Sequence, residues 1–167
     1  MDALSEFALD KNIEVFTRHG VFTKTEIHSR HEIHLEGYCK TILIEALCMA
    51  DIAKGEVIPA SVEYQNELAK LLSIKRNLGE LDSAMEGGLL GEISKLSACL
   101  MKRLAQLEKA IMESGENEAP LEKAVFCRDR IISAMNELRL IVDELETLIA
   151  SKYRTLPTYA DMLYSVF

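Results

Sequence analysis

Apolar residues recur along most of this chain at steps of three and four, the period of a helix with one covered face. Ser5 to Arg18 predicts a first helix, with Leu4, Phe7, Ala8, Val15 and Phe16 on a broad face. Gly20 stands where a left-handed stop is wanted, and Val21-Phe22 form a short apolar connector. Thr23-Lys24-Thr25-Glu26 has the form of a capping box: Thr23 accepts from the third helical N–H and Glu26 reaches back to the Thr23 N–H. It opens a long helix, Lys24 to Lys54, with Ile27, His31, Leu35, Tyr38, Ile42, Met49 and Ile52 on its stripe. A second line, Ile33, Ile44 and Leu47, widens the stripe. Glu45 is the one charge from Thr41 to Ala50, so this part is expected to be covered on most sides. Gly55 is a candidate terminus, and Pro59 suits the first turn of a following helix. The pattern leaves open whether the two residues break one helix or kink it.

Ile58, Val62, Gln65, Leu68 and Leu72 carry the helical period on to about Leu78. Gly79 to Gly91 holds four of the eight glycines and predicts an internal loop, weakest for helix at Gly87-Gly88. Leu89, Ile93, Leu96, Leu100, Leu104, Leu107 and Ile111 then predict an amphipathic helix that ends near Ser114-Gly115. After a polar link, Glu116 to Pro120, the last long helix carries Leu121, Val125, Ile132, Met135, Leu138, Val142, Leu145 and Ile149. The short link predicts an antiparallel helical hairpin. Leu156-Pro157-Thr158-Tyr159 reads as extended or turn-like, and Ala160 to Tyr164 as one short helical turn. The tail from Leu156 to Phe167 is too apolar for a free end, so it is expected to dock on this domain or on a catalytic one. No segment shows sustained strand alternation. The expected fold class is all-α: one domain over 1–167, an elongated antiparallel helical bundle with its longest helices at 24–54, 89–113 and 119–150.

Composition narrows the function classes. A chain of 167 residues makes one domain, at most two. Its net charge of −8 argues against nucleic acid and anionic membrane as partners, since both select clustered Lys and Arg. No apolar run reaches membrane-span length, and Met1-Asp2-Ala3 does not open a signal peptide. Cys39, Cys48, Cys99 and Cys127 lack any CxxC spacing and read as reduced, mostly buried thiols of a cytoplasmic protein.

The candidate chemistry is thin. His28, His31 and His34 stand three apart, so neighbours are about 60° apart on a helix and all three do not converge on one metal. They read as solvated or interface histidines. No carboxylate stands three before any histidine, which removes the di-iron pattern. Gly87-Gly88-Leu89-Leu90-Gly91 lacks the strand and the Lys of a phosphate loop. No Ser, Cys or Lys stands in a nucleophile motif. Glu45 reads as a buried, paired carboxylate with Lys40, Arg30 or another helix as partner. No catalytic, cofactor-binding or metal residue is assigned. By themselves the residues describe a helical interaction domain without its own chemistry.

One stretch is more particular. His19-Gly20-Val21-Phe22-Thr23, Glu26, Ser29-Arg30-His31-Glu32-Ile33, Leu35-Glu36, Tyr38-Cys39-Lys40, Ile42, Ile44-Glu45-Ala46 and Ile58-Pro59-Ala60 resemble the C-terminal region of type III glutamine synthetases. The ending from Leu156-Pro157-Thr158-Tyr159 to Phe167 resembles that family's terminal segment. His31 stands where the family pattern has an aromatic, commonly Tyr. The resemblance implies a parent enzyme that joins ammonia to glutamate with ATP and Mg²⁺ in cytoplasmic nitrogen assimilation. It also implies a catalytic domain on the same polypeptide and a homo-oligomer of stacked hexamers. None of the catalytic motifs is in this sequence, so no cofactor belongs to this segment, and Met1 is expected to mark an expressed piece of a longer enzyme. Two functions follow: a non-catalytic C-terminal domain for packing and oligomer assembly, or a free-standing helical adaptor or regulator that binds a partner helix.

Overall fold

The computed structural model describes residues 2–79, 81–116, 119–154, 157 and 159–164. Among them the chain is an all-α bundle with no strand. The helices are α1 (Asp2–Phe7), α2 (Asp10–Arg18), α3 (Lys24–Ile52), α4 (Ile58–Asn77), α5 (Ala84–Glu113), α6 (Pro120–Phe126), α7 (Ile132–Leu148) and α8 (Tyr159–Tyr164).

The single helix predicted over Ser5–Arg18 is two. Leu9 is extended (φ −69°, ψ 145°), and Asn12 Nδ2 donates to the Glu6 carbonyl at 2.7 Å, which turns the chain. Ile13 is the buried residue of α2, whereas Val15 is exposed. Gly20 takes φ +64° and ends α2 as expected, a conformation that costs a residue with a Cβ about 1–2 kcal/mol.

The capping box of α3 is formed in full. Thr23 N–H and Oγ1 both donate to Glu26 Oε2 at 2.8 Å, and Glu26 N–H donates to Thr23 Oγ1 at 3.3 Å. The buried line then runs Ile27, Leu35, Cys39, Ile42, Ala46, Ala50, Ala53, Val57 and Ala60. The second line predicted for α3 is not covered: Ile33, Ile44 and Leu47 are 63%, 61% and 50% exposed, and Ile52 is exposed too. Small residues on the buried line narrow the contact, because they let a neighbouring helix sit close over one stripe. Gly55 does not end the helix. The chain stays helical through a π-turn, Ala53–Val57, in which the Ile58 N–H bonds the Ala53 carbonyl five residues back. Pro59 follows at once; it has no N–H to give and its ring would crowd the carbonyl four residues earlier, so a widened turn accommodates it.

The loop predicted over Gly79–Gly91 is cut short: α5 begins at Ala84, and Gly87, Gly88 and Gly91 lie inside it. Asp82 Oδ1 accepts the Ala84 N–H at 2.9 Å, and Lys75 Nζ holds both the Asp82 carbonyl (3.0 Å) and Glu86 Oε1 (2.5 Å). These contacts start the helix earlier than propensity allows. The facing pairs Ser61–Ser97 and Lys75–Glu86 run in opposite directions along the two helices, so α4 and α5 are antiparallel.

The helix predicted over 119–150 starts at Pro120, widens into a second π-turn at Cys127–Ile131, and ends at Leu148. Its buried line is Ala124, Cys127, Ile131, Leu138, Leu145 and Ile149, which leaves Leu121 and Val125 exposed to one side. Arg103 on α5 meets Glu137 on α7 at 2.6 Å, each equally far from Pro120, as in a hairpin. Asn117 and Glu118 of the expected link lie outside the described residues.

The chain divides into two compact units, one of Met1–Cys48 with Leu107–Met135 and one of Met49–Gln106 with Asn136–Phe167. Ile27, Leu35, Leu107 and Ile131 centre the first core; Ile93, Leu100, Leu138 and Leu145 centre the second. In the second unit Tyr153 packs on Tyr64 (centroids 5.4 Å) and Lys152 bonds Glu67 (2.8 Å), which seats the end of the helical chain on α4. The predicted terminal turn is α8. Its Leu163 and Tyr164 are 75% and 81% exposed, so these two do not dock on this domain. Leu156, Val166 and Phe167 lie outside the described residues.

Candidate interaction surfaces and polar clusters

Aromatic residues from α1, α2 and the following connector gather on α3 in the first unit. Phe16 lies 6.2 Å from Phe7 and 5.8 Å from Phe22, and the Arg30 guanidinium sits 4.6 Å over the Phe22 ring. Phe7 stacks on His31 (6.4 Å, 23°) and meets His34 edge-on (6.0 Å, 82°). Two members of the histidine ladder thus serve as packing for Phe7, while His28 is exposed. His31 Nε2 is buried and has no hydrogen-bond partner among the described residues. No group of three metal-ligating side chains converges among the described residues.

Two assignments for α3 are corrected. Glu45 is exposed rather than buried; Lys40 pairs with Glu36 at 3.0 Å, and Arg30 is taken by Phe22. The cysteines are not mostly buried. Cys39 and Cys127 are, Cys99 is half-buried and Cys48 is exposed; all four are free thiols. Cys48 stands on the face of α3 opposite the line through Cys39, Ile42 and Ala46. Burial, with Cys39 beside it, pushes the Cys127 thiol up to about 11. Burial likewise raises the Tyr38 phenol.

In the second unit, Ser61 and Ser97 meet at 2.6 Å between α4 and α5. Ser97 Oγ donates to the Ile93 carbonyl at 2.7 Å, so the Ser61 hydroxyl donates to Ser97. Gln65 Nε2 lies 3.2 Å from both hydroxyl oxygens. The cluster is closed on itself and holds no base that would activate a hydroxyl. Sequence reading missed it. The available signal was two serines at core-facing helical positions, which must find partners there.

The exposed apolar surface lies elsewhere. Leu121, Val125 and Phe126 line an open groove on α6 with Asp129 and Arg130 beside them, and α8 presents Leu163 and Tyr164. The whole constellation suits packing against other protein. Residues 1–76 match the family model described as glutamine synthetase C-terminal domain. Over those residues the chain is similar to that family.

The relatives agree along its length. A glutamine synthetase of Butyrivibrio fibrisolvens is 40% identical over 167 residues, covering 99% of this chain and 24% of that protein. The type-3 glutamine synthetase of Dictyostelium discoideum is 26% identical over 98% of this chain and 23% of that protein. A glutamine synthetase of Bacteroides fragilis is 25% identical over the same shares. The resemblance to the C-terminal region of type III glutamine synthetases is borne out. The chain spans about a quarter of the length of the curated relatives it matches. Among the described residues, no helix is long and apolar enough to cross a membrane.

Proposed function

We propose that this chain is a non-catalytic helical domain of a glutamate–ammonia ligase, and that it acts in packing on a catalytic domain of the same polypeptide and in homo-oligomer assembly. ATP and Mg²⁺ would be bound by that other domain, in a cytoplasmic enzyme of nitrogen assimilation. The observation that carries the reading is the terminal helix α8, whose Leu163 and Tyr164 stand in water although relatives match the chain from end to end. Leaving such side chains exposed forgoes roughly 1.5–3 kcal/mol each relative to burial. A surface of that kind favours a protein partner.

The test is binding in trans. The chain, mixed with the separately purified catalytic region of the longer protein, should co-elute with it on size exclusion, and Leu163→Asp with Tyr164→Asp should weaken that binding. A free-standing adaptor, the other reading, would ignore the catalytic region altogether. No observation favours it over the first.

A further inference from the structure

The α4–α5 hairpin carries a second exposed apolar surface that the terminal helix does not explain. Leu71, Ile74, Leu78, Leu81 and Met85 are 41%, 55%, 70%, 54% and 73% exposed. The side chains of Leu71, Ile74, Leu78 and Met85 fall on one side of the hairpin. Lys75 faces Glu86 across the pair. Ile74 precedes Lys75 and Met85 precedes Glu86, so each lies about 100° back from a facing residue. In two antiparallel helices the same backward rotation leads to the same side. Leu71 and Leu78 share Ile74's line at steps of three and four, and Leu81 is exposed between the two helices.

This line begins at a surface contact. Glu67 is one step up it and pairs with Lys152, beside the Tyr64–Tyr153 contact. The apolar line continues past it as an extension of that contact. Together the five side chains leave roughly 600 Å² in water, at the upper end of the largest patch that a monomer normally carries. With a polar rim, that approaches the roughly 800 Å² per partner of a stable interface. The rim is charged with opposite signs on its two edges: Lys70 stands exposed on α4 and Glu92 exposed on α5, at about the same level of the hairpin. A two-fold axis parallel to the helices brings the α4 edge of one copy against the α5 edge of the other, so Lys70 meets Glu92 twice. An isologous contact requires such a self-complementary patch.

We infer that the α4–α5 hairpin is a homodimer contact, in which a second copy of this chain seats its Ile74–Met85 side on the first and pairs Lys70 with Glu92. The contact belongs to the chain by itself and does not rest on attachment to a catalytic domain. Sedimentation equilibrium of the 167-residue chain over a dilution series tests it. The wild type should dimerise. Ile74→Lys should be monomeric with unchanged helical content by circular dichroism. Lys70→Glu should weaken the dimer roughly tenfold by opposing like charges, and adding Glu92→Lys should restore it. A wild-type chain that stays monomeric throughout, a dimer untouched by Ile74→Lys, or a double charge swap that fails to restore what the single one lost would each overturn the inference.

Discussion

Lys75 and Glu86 meet across the α4–α5 loop, Nζ to Oε1, with the Glu86 side chain nearly sealed from water and Lys75 also holding the Asp82 carbonyl. One ammonium thereby fixes the end of one helix, the loop, and the start of the next. The hydrogen bond from Lys75 is the largest of the effects that hold the Glu86 carboxyl below its ordinary 4.5.

Removing that ammonium should lower stability with a definite pH dependence. A carboxylate whose folded pKa is depressed adds stability that is fully present above its unfolded pKa and is lost as pH falls through the folded one. Lys75→Ala should therefore melt several degrees below wild type at neutral pH. The difference should shrink below pH 4.5 as Glu86 takes up its proton. Thermal melts from neutral pH downward check this; a constant difference across the range would mean that the pair does not act through charge.

The glycines should separate by conformation. Gly87 and Gly88 are helical with open space where a Cβ would stand, so Gly→Ala at either should stabilise by about 0.5–1 kcal/mol. Gly20 has equal room but φ +64°, so Gly20→Ala should destabilise by about 1 kcal/mol. Urea unfolding of the three single variants gives the signs directly.

Loss of the α3 cap should cost about 1 kcal/mol, the usual value for a Thr→Ala change at such a position. Glu26 needs Thr23 as well: the Thr23 N–H, then its hydroxyl, hold the Glu26 carboxyl below its usual range. In Thr23→Ala the Glu26 resonance, followed by carbon-detected NMR, should titrate at higher pH than in wild type.

Thiol reactivity should follow burial. Cys48 should react first with a disulfide reagent, Cys99 more slowly, and the buried Cys39 and Cys127 only on unfolding; the Cys127 thiol, raised to about 11, supplies almost no thiolate. Mass mapping of the labelled residue in a time course decides the order.

Helices were legible wherever periodicity alone sets them. The α3 capping box, the stop at Gly20, the apolar line of α5 and the short α8 all follow from residue type and spacing. What sequence reading missed depends on tertiary partners. Gly87-Gly88 looks like loop until Lys75 is seen to anchor Glu86. Glu45 and the Ile44-Leu47 line look buried because apolar neighbours surround them in sequence, yet a stripe of alanines on α3 sets a narrower contact. The π-turn before Pro59 decides between the alternatives that the pattern left open: the helix is not broken, and the widened turn absorbs the proline. For the interaction surfaces, the apolar tail was visible in sequence. The hairpin patch was not, because exposed and covered leucines look alike until the helices are packed.

Assembly of the proposed longer enzyme gives the sharpest test. Leu163→Asp with Tyr164→Asp, introduced into that proposed longer protein, should yield smaller oligomers by light scattering, with the helical content of this domain retained. Wild-type oligomers with an unchanged melting temperature would contradict a role for the terminal helix in packing and assembly.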